Sequence, residues 1–244
     1  MNVPTSRWLL PGYSLIFMAS LSMPASEAAA SRCEQVPVVV SEAAVSRPST
    51  QDIEYSESIA RICQASARAL AFLQIYGLQP QQDIHIEIVE HSLEHYGYVA
   101  FGSYDRSTQI ISLMSLAAIM HLNTIPEMYG QKFDQVHYDG AVAHELAHAV
   151  FHQNSPNSRL SNAAQEYLAH VTQLAVLPAD RRQSIIERAG VGAWESGDAI
   201  SEVYMAMAPE KFAVKSYLHL TGSAEPEAFV TILLNNKWFY VYAP

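Results

Sequence analysis

The stretch "DGAVAHELAHAVFHQN", residues 139–154, constrains the fold more than any other segment. From Ala141 to Phe151 it holds a single acidic residue, Glu145, and no Lys or Arg. Projected at about 100° per residue, Val142, Leu146 and Val150 form one stripe, with His144, His148 and His152 opposite and Glu145 at their flank. A solvated helix face would carry Lys, Arg or Gln among the histidines. Here the remaining positions are alanine, so the segment is expected to be a helix covered on both sides.

A chain of 244 residues that is 50% hydrophobic and 16% charged can bury a large core. Residues 31–244 are expected to form one domain. From Asp52, apolar residues at helical spacing predict a first helix ending at Gly77. Ile84, Ile86 and Ile88 then alternate with polar partners, which predicts a half-buried strand. The stretch 98–114 divides at Asp105-Arg106 into two further β segments, a candidate hairpin. From Ser115 onward the signals are mostly helical, including 162–177 halted by Pro178, 179–190, and segments from Asp198 to about Asn235. The fold class expected is α+β, with a small antiparallel or mixed sheet before a mostly helical C-terminal half.

Residues 1–30 read as a secretory signal peptide. Arg7 is the sole charge before Glu27, a short apolar run follows, and "SEAAAS" offers cleavage after Ala28 or Ala30. The run is too short, and too broken by Pro11 and Gly12, for a spanning helix. In an exported chain the two cysteines, Cys33 and Cys63, are expected to pair, tying the N-terminal segment to the first helix. Neither belongs to a C-x-x-C, so thiolate chemistry has no support. A formal charge of −10 argues against nucleic acid or an anionic membrane as partner. The expected location is secreted or periplasmic, with no membrane association after cleavage.

His144-Glu145-Leu146-Ala147-His148 has the form H-E-x-x-H. Residues four apart on a helix have β-carbons about 6 Å apart, so both imidazoles can converge on an ion bound at about 2.0 to 2.1 Å. Glu145 projects around the helix, where it can reach a zinc-bound water without being a ligand. Zinc would lower that water's pKa to about 7, and Glu145 would take its proton during attack on a carbonyl. His152 lies about 12 Å along the axis from His144, so those two cannot share one ion.

Catalytic zinc commonly takes three protein ligands and a water, so one ligand is missing from this helix. A Gly at 151 and a His at 154 would complete the metzincin pattern, but Phe151 and Asn154 stand there. The chain turns through "NSPNSRL" and re-enters helix, capped by Ser161 or Asn162, which places Glu166 in its early turns. A returning helix can face Glu166 toward the histidine pair. With these residues, the sequence resembles the gluzincin zinc metallopeptidases, which have H-E-x-x-H on one helix and a glutamate ligand on the next at about this distance. It is also similar to short secreted bacterial proteins of unassigned function in which HEL-x-H is followed by a glutamate-tyrosine pair, here Glu166-Tyr167. The resemblance runs from the hairpin near 98 to Pro178 and implies a zincin-like fold with zinc held by His144, His148 and Glu166. Many gluzincins have an acidic residue four after the ligand glutamate, orienting a ligand histidine. His170 stands there, as an outer partner or a rival ligand.

A second candidate, "HSLEH" at 91–95, has the inverted form H-x-x-E-H, but it sits between β segments with room for barely one helical turn. In the resembled peptidases an edge strand before the metal helix pairs with substrate; 98–104 or 108–114 offers such a strand. Tyr204, Tyr217 and His219 are candidates for stabilising the oxyanion, with Tyr217 and His219 ranked first. The expected function is an exported zinc-dependent hydrolase acting on a peptide or protein. The alternative is a non-enzymatic zincin-like periplasmic binding protein, either metal-stabilised or inactive.

Overall fold

The computed structural model describes residues 30–42, 52–95, 98–157 and 159–244. The expected signal peptide and most of the loop expected at 41–51 lie outside them. β1 (Ser31–Arg32) and β2 (Val38–Glu42) precede α1 (Asp52–Ile75). β3 (Ile84–Val89), β4 (Leu93–His95), β5 (Tyr98–Ala100), β6 (Gly102–Asp105) and β7 (Ile110–Met114) follow. Five of these strands form a mixed sheet in the order β1-β2-β3-β7-β6. β2, β3 and β7 run parallel, while β1 and β6 are antiparallel at the two edges. Alternation sets one face inward: Ile84, Ile86 and Ile88 are all buried, as are Ile111 and Leu113.

The expected hairpin is β6–β7, with Gly102 opposite Leu113 and Asp105 opposite Ile110. Its turn is held by Asp105, whose Oδ1 accepts the Ser107 N–H at 2.7 Å. This register separates the two segments offered for peptide pairing. β7 lies between β3 and β6 with both edges occupied, whereas β6 ends the sheet.

The remaining elements are α2 (Leu116–Met120), the ladder of β8 (Glu127–Met128) with β9 (Gln131–Lys132), α3 (Gln135–Asn154), α4 (Asn162–Val176) and α5 (Ala179–Ala189). β10 (Ala199–Ser201), α6 (Glu202–Met207), α7 (Pro209–Gly222), α8 (Pro226–Asn235) and β11 (Tyr240–Tyr242) complete the chain. The fold is α+β and mostly helical, as expected. The helical half nevertheless contains two short ladders, β8–β9 and β10–β11, the second pairing Ala199 with Tyr242. Strands of two or three residues cannot display a period of two, so the sequence pattern misses them.

α3 begins at the Asp134 cap, whose side chain accepts the N–H groups of Val136 and His137. Val142, Leu146 and Val150 are buried, and so are Ala143, Ala147, Ala149 and Phe151. The helix is covered by α1 and α4 and by β6 and β7, which is why it dispenses with surface charge. Truncating Leu146 to alanine would cost about 2 to 5 kcal/mol. α4 starts at Ser161, whose Oγ accepts the Ala164 N–H, and stops before Pro178. Cys33 and Cys63 form the expected disulfide, joining the β1–β2 segment to α1. Among the described residues, no helix is long and apolar enough to cross a membrane.

Candidate metal centre

α3 presents His144 and His148 one turn apart, with their Nε2 atoms separated by 3.2 Å. From α4, the Glu166 carboxylate reaches the same point. Its Oε2 lies 3.4 Å from His144 Nε2 and its Oε1 3.4 Å from His148 Nε2. These three side chains form a group whose ligand-type atoms all lie within 4.8 Å of one another. Ligands bound to zinc at about 2.0 to 2.1 Å in tetrahedral directions stand about 3.3 Å apart, so the triangle fits one zinc ion. Two imidazoles and a carboxylate are also a donor set suited to it. The remaining side opens into a cleft of about 350 Å³, whose walls include Gly102, Tyr104, Arg106, Glu145 and Asn162.

The charges follow from this crowding. Burial opposes ionisation of Glu166, but the adjacent His148 and His144 hold its carboxyl well below the usual carboxylate range. Burial alone would lower the His144 imidazole, yet the hydrogen bond and charge of Glu166 outweigh it and raise the group to about 9. Burial lowers His148 to about 4. Without a cation, a proton on His144 therefore neutralises Glu166, and a metal ion taking its place would release that proton.

Glu145 points toward the sheet and is 9% exposed. Burial pushes its carboxyl up to about 7, against the pull of His144 and with Glu166 adding to the rise. The Tyr104 backbone also bonds to it, pulling the other way. A β-carbon on Gly102 would lie 2.5 Å from Glu145 Cγ, so β6 can approach this side chain only where it carries glycine.

Behind the pair, Gln173 is the hub. Its Oε1 accepts the His144 Nδ1–H at 3.1 Å and the Tyr129 hydroxyl at 2.7 Å. The bond to Nδ1 turns Nε2 of His144 toward Glu166. Tyr129 reaches inward from the β8–β9 turn, where it and Gly130 have φ of 54° and 66°. Two consecutive positive φ values are the type I′ hairpin pattern, and a tyrosine accepts that strain here with its ring buried against α4. His170 is placed behind His144, not at the ligand triangle. Its ring packs edge-on against the His144 ring at 4.9 Å, its Nδ1 lies 3.3 Å from Gln173 Oε1, and its Nε2 is 3.8 Å from Glu166. His152 bonds through Nδ1 to the Tyr104 hydroxyl at 2.7 Å, on the cleft wall.

Tyr217 and His219 do not line this cleft. α7 packs against α4, and Tyr167 of α4 captures the His219 Nδ1 through its hydroxyl at 2.7 Å. The His219 ring is buried against Tyr167 and Phe229. Tyr217 lies beneath the Arg182 guanidinium, and Tyr204 packs edge-on against Trp194. The inverted motif is not helical: Leu93–His95 is strand β4, paired with β5, and His91 is exposed. Sequence reasoning missed Gln173, Tyr129, Tyr104 and Gly102. Only Gln173 left a local signal, since Glu166, His170 and Gln173 are spaced to share one face of α4.

No curated protein and no solved structure matches the chain. A family model does, over residues 52–242, from the start of α1 to the last residue of β11 and including the whole candidate centre. The chain belongs to that family, a family of unknown function designated DUF6639.

Proposed function

We propose that the protein is an exported zinc-dependent hydrolase of metallopeptidase type, zincin-like in fold and gluzincin-like in its ligands. The observation that carries this reading is the triangle of His144 Nε2, His148 Nε2 and the Glu166 carboxylate, at 3.2 to 3.4 Å, open to a cleft that Glu145 also lines. The disulfide supports export, because such bonds persist in oxidising compartments.

When bound, zinc supplies Lewis acidity to a scissile carbonyl and acidifies the attacking water. Glu145 takes that water's proton on its carboxylate and later delivers it to the leaving amine. The open edge of β6 pairs with the substrate backbone as an added strand, which brings the scissile bond over α3. Tyr104, held through its hydroxyl by His152, takes the role of oxyanion donor expected for Tyr217 or His219.

The test is Glu145→Gln in the mature protein, assayed with a mixed peptide library. The variant is expected to keep its zinc and lose hydrolysis by several orders of magnitude. If the parent cleaves no peptide, or the variant cleaves as well as the parent, the reading fails.

A further inference from the structure

A second hollow of about 530 Å³ opens beside the start of α4, with Arg159, Leu160, Lys237, Trp238 and Phe239 among its walls. Asn162 lines both this hollow and the metal cleft, so the two adjoin. Trp238 is 68% exposed and Phe239 59% exposed, which leaves two aromatic rings in water on a concave wall. The second hollow has two cations, Arg159 and Lys237, against one carboxylate, Glu202, in a chain that is acidic as a whole. The chain has 14 basic residues against 24 acidic ones, yet Arg106, Arg159 and Lys237 line the two hollows. Among the described residues, the carboxylates lining the two hollows are Glu145, Glu166 and Glu202. Among the described residues, none of these three cations is in an ion pair with a carboxylate of the chain.

We propose that the second hollow is a substrate subsite and that the substrate is an acidic peptide. An apolar or aromatic side chain of the peptide sits against Trp238 and Phe239, and its carboxylates sit beside Arg159 and Lys237 on one side and Arg106 on the other. Stacking on exposed rings supplies contact area, and the unpaired cations select for negative charge. The inference rests on the metallopeptidase reading for its direction, since it takes a peptide running from the β6 edge past Asn162. The net charge of −10 opposes non-specific binding of such a peptide to the rest of the molecule.

The experiment uses the full mature chain carrying Glu145→Gln, loaded with zinc, and fluorescein-labelled ten-residue peptides read by anisotropy. One peptide has glutamates flanking a phenylalanine, a second has lysine at each glutamate position, and a third has alanine for the phenylalanine. The first is expected to bind at least about tenfold more tightly than the second. Arg159→Glu with Lys237→Glu is expected to abolish that preference. Trp238→Ala should bring the first peptide down to the level of the third without lowering the melting temperature, because the ring is exposed. Equal binding of the acidic and basic peptides overturns the proposal, as does a preference that survives both sets of substitutions. Capture of phosphatidylglycerol vesicles with no binding of any peptide also overturns it, in favour of a lipid surface. Binding is read without cleavage, so absence of zinc or hydrolysis counts against the metallopeptidase reading alone.

Discussion

A β-carbon placed on Gly102 would stand 2.5 Å from Cγ of Glu145, closer than two carbons can pack. β6 and α3 are therefore fitted to each other at the residue proposed to move the proton. The obstructing atom is in the middle of a buried side chain, so Glu145 cannot simply swing its far end aside. Gly102→Ala is expected to lower the rate of peptide hydrolysis about 10²-fold, the scale of loss for a misplaced catalytic group. Zinc content, set by the ligands proposed on α3 and α4, should stay at the parental level. Steady-state kinetics with metal analysis on the same preparation checks both halves.

Gln173 Oε1 accepts the Nδ1–H of His144 and so governs where Nε2 points. Gln173→Leu removes the acceptor but keeps much of the volume. Loss of such an outer partner typically weakens metal affinity by about 10- to 100-fold. Gln173→Glu, which keeps an acceptor, should restore most of the affinity. Competition with a zinc chelator would measure this, and a Gln173→Leu protein with parental affinity would show that His144 needs no orienting bond.

The Cys33–Cys63 bridge closes a separation of 30 residues. Loop-closure entropy for that span corresponds to about 3 to 4 kcal/mol of stability. Replacing both cysteines with alanine is expected to cost this much in denaturant unfolding while leaving zinc content unchanged, since neither cysteine lies on α3 or α4, which carry the proposed ligands. An unchanged unfolding midpoint would contradict the entropic argument.

What could be read from the chain was what repeats locally. The alternation of Ile84, Ile86 and Ile88 marked a strand, and the uncharged flanks of the 139–154 segment marked a helix covered on both sides, because both periods are written into consecutive residues. The spacing of His144, Glu145 and His148 identified one wall of the candidate centre, and Glu166 lies where a short connection returns the chain to it. The other wall depends on which strand ends the sheet. β6 takes that place through a hydrogen-bonding order that no local period encodes, so Gly102 and Tyr104 were not legible as site residues. Tyr129 was hidden for a similar reason, since its turn is two residues long and its role comes from packing on Gln173. Residue type alone points to Tyr217 and His219. Their positions follow from α7 docking on Tyr167, a contact between helices far apart in sequence.

His144, His148 and Glu166 are the proposed zinc ligands, with His170 behind them. The most direct test is the zinc content of the protein and of Glu166→Ala and His170→Ala, purified from zinc-replete medium and dialysed against a weak chelator. A single zinc ion per chain is expected in the parent and in His170→Ala, with its loss from Glu166→Ala. A parent without stoichiometric zinc, or a Glu166→Ala protein that holds zinc as tightly as the parent, would contradict this assignment.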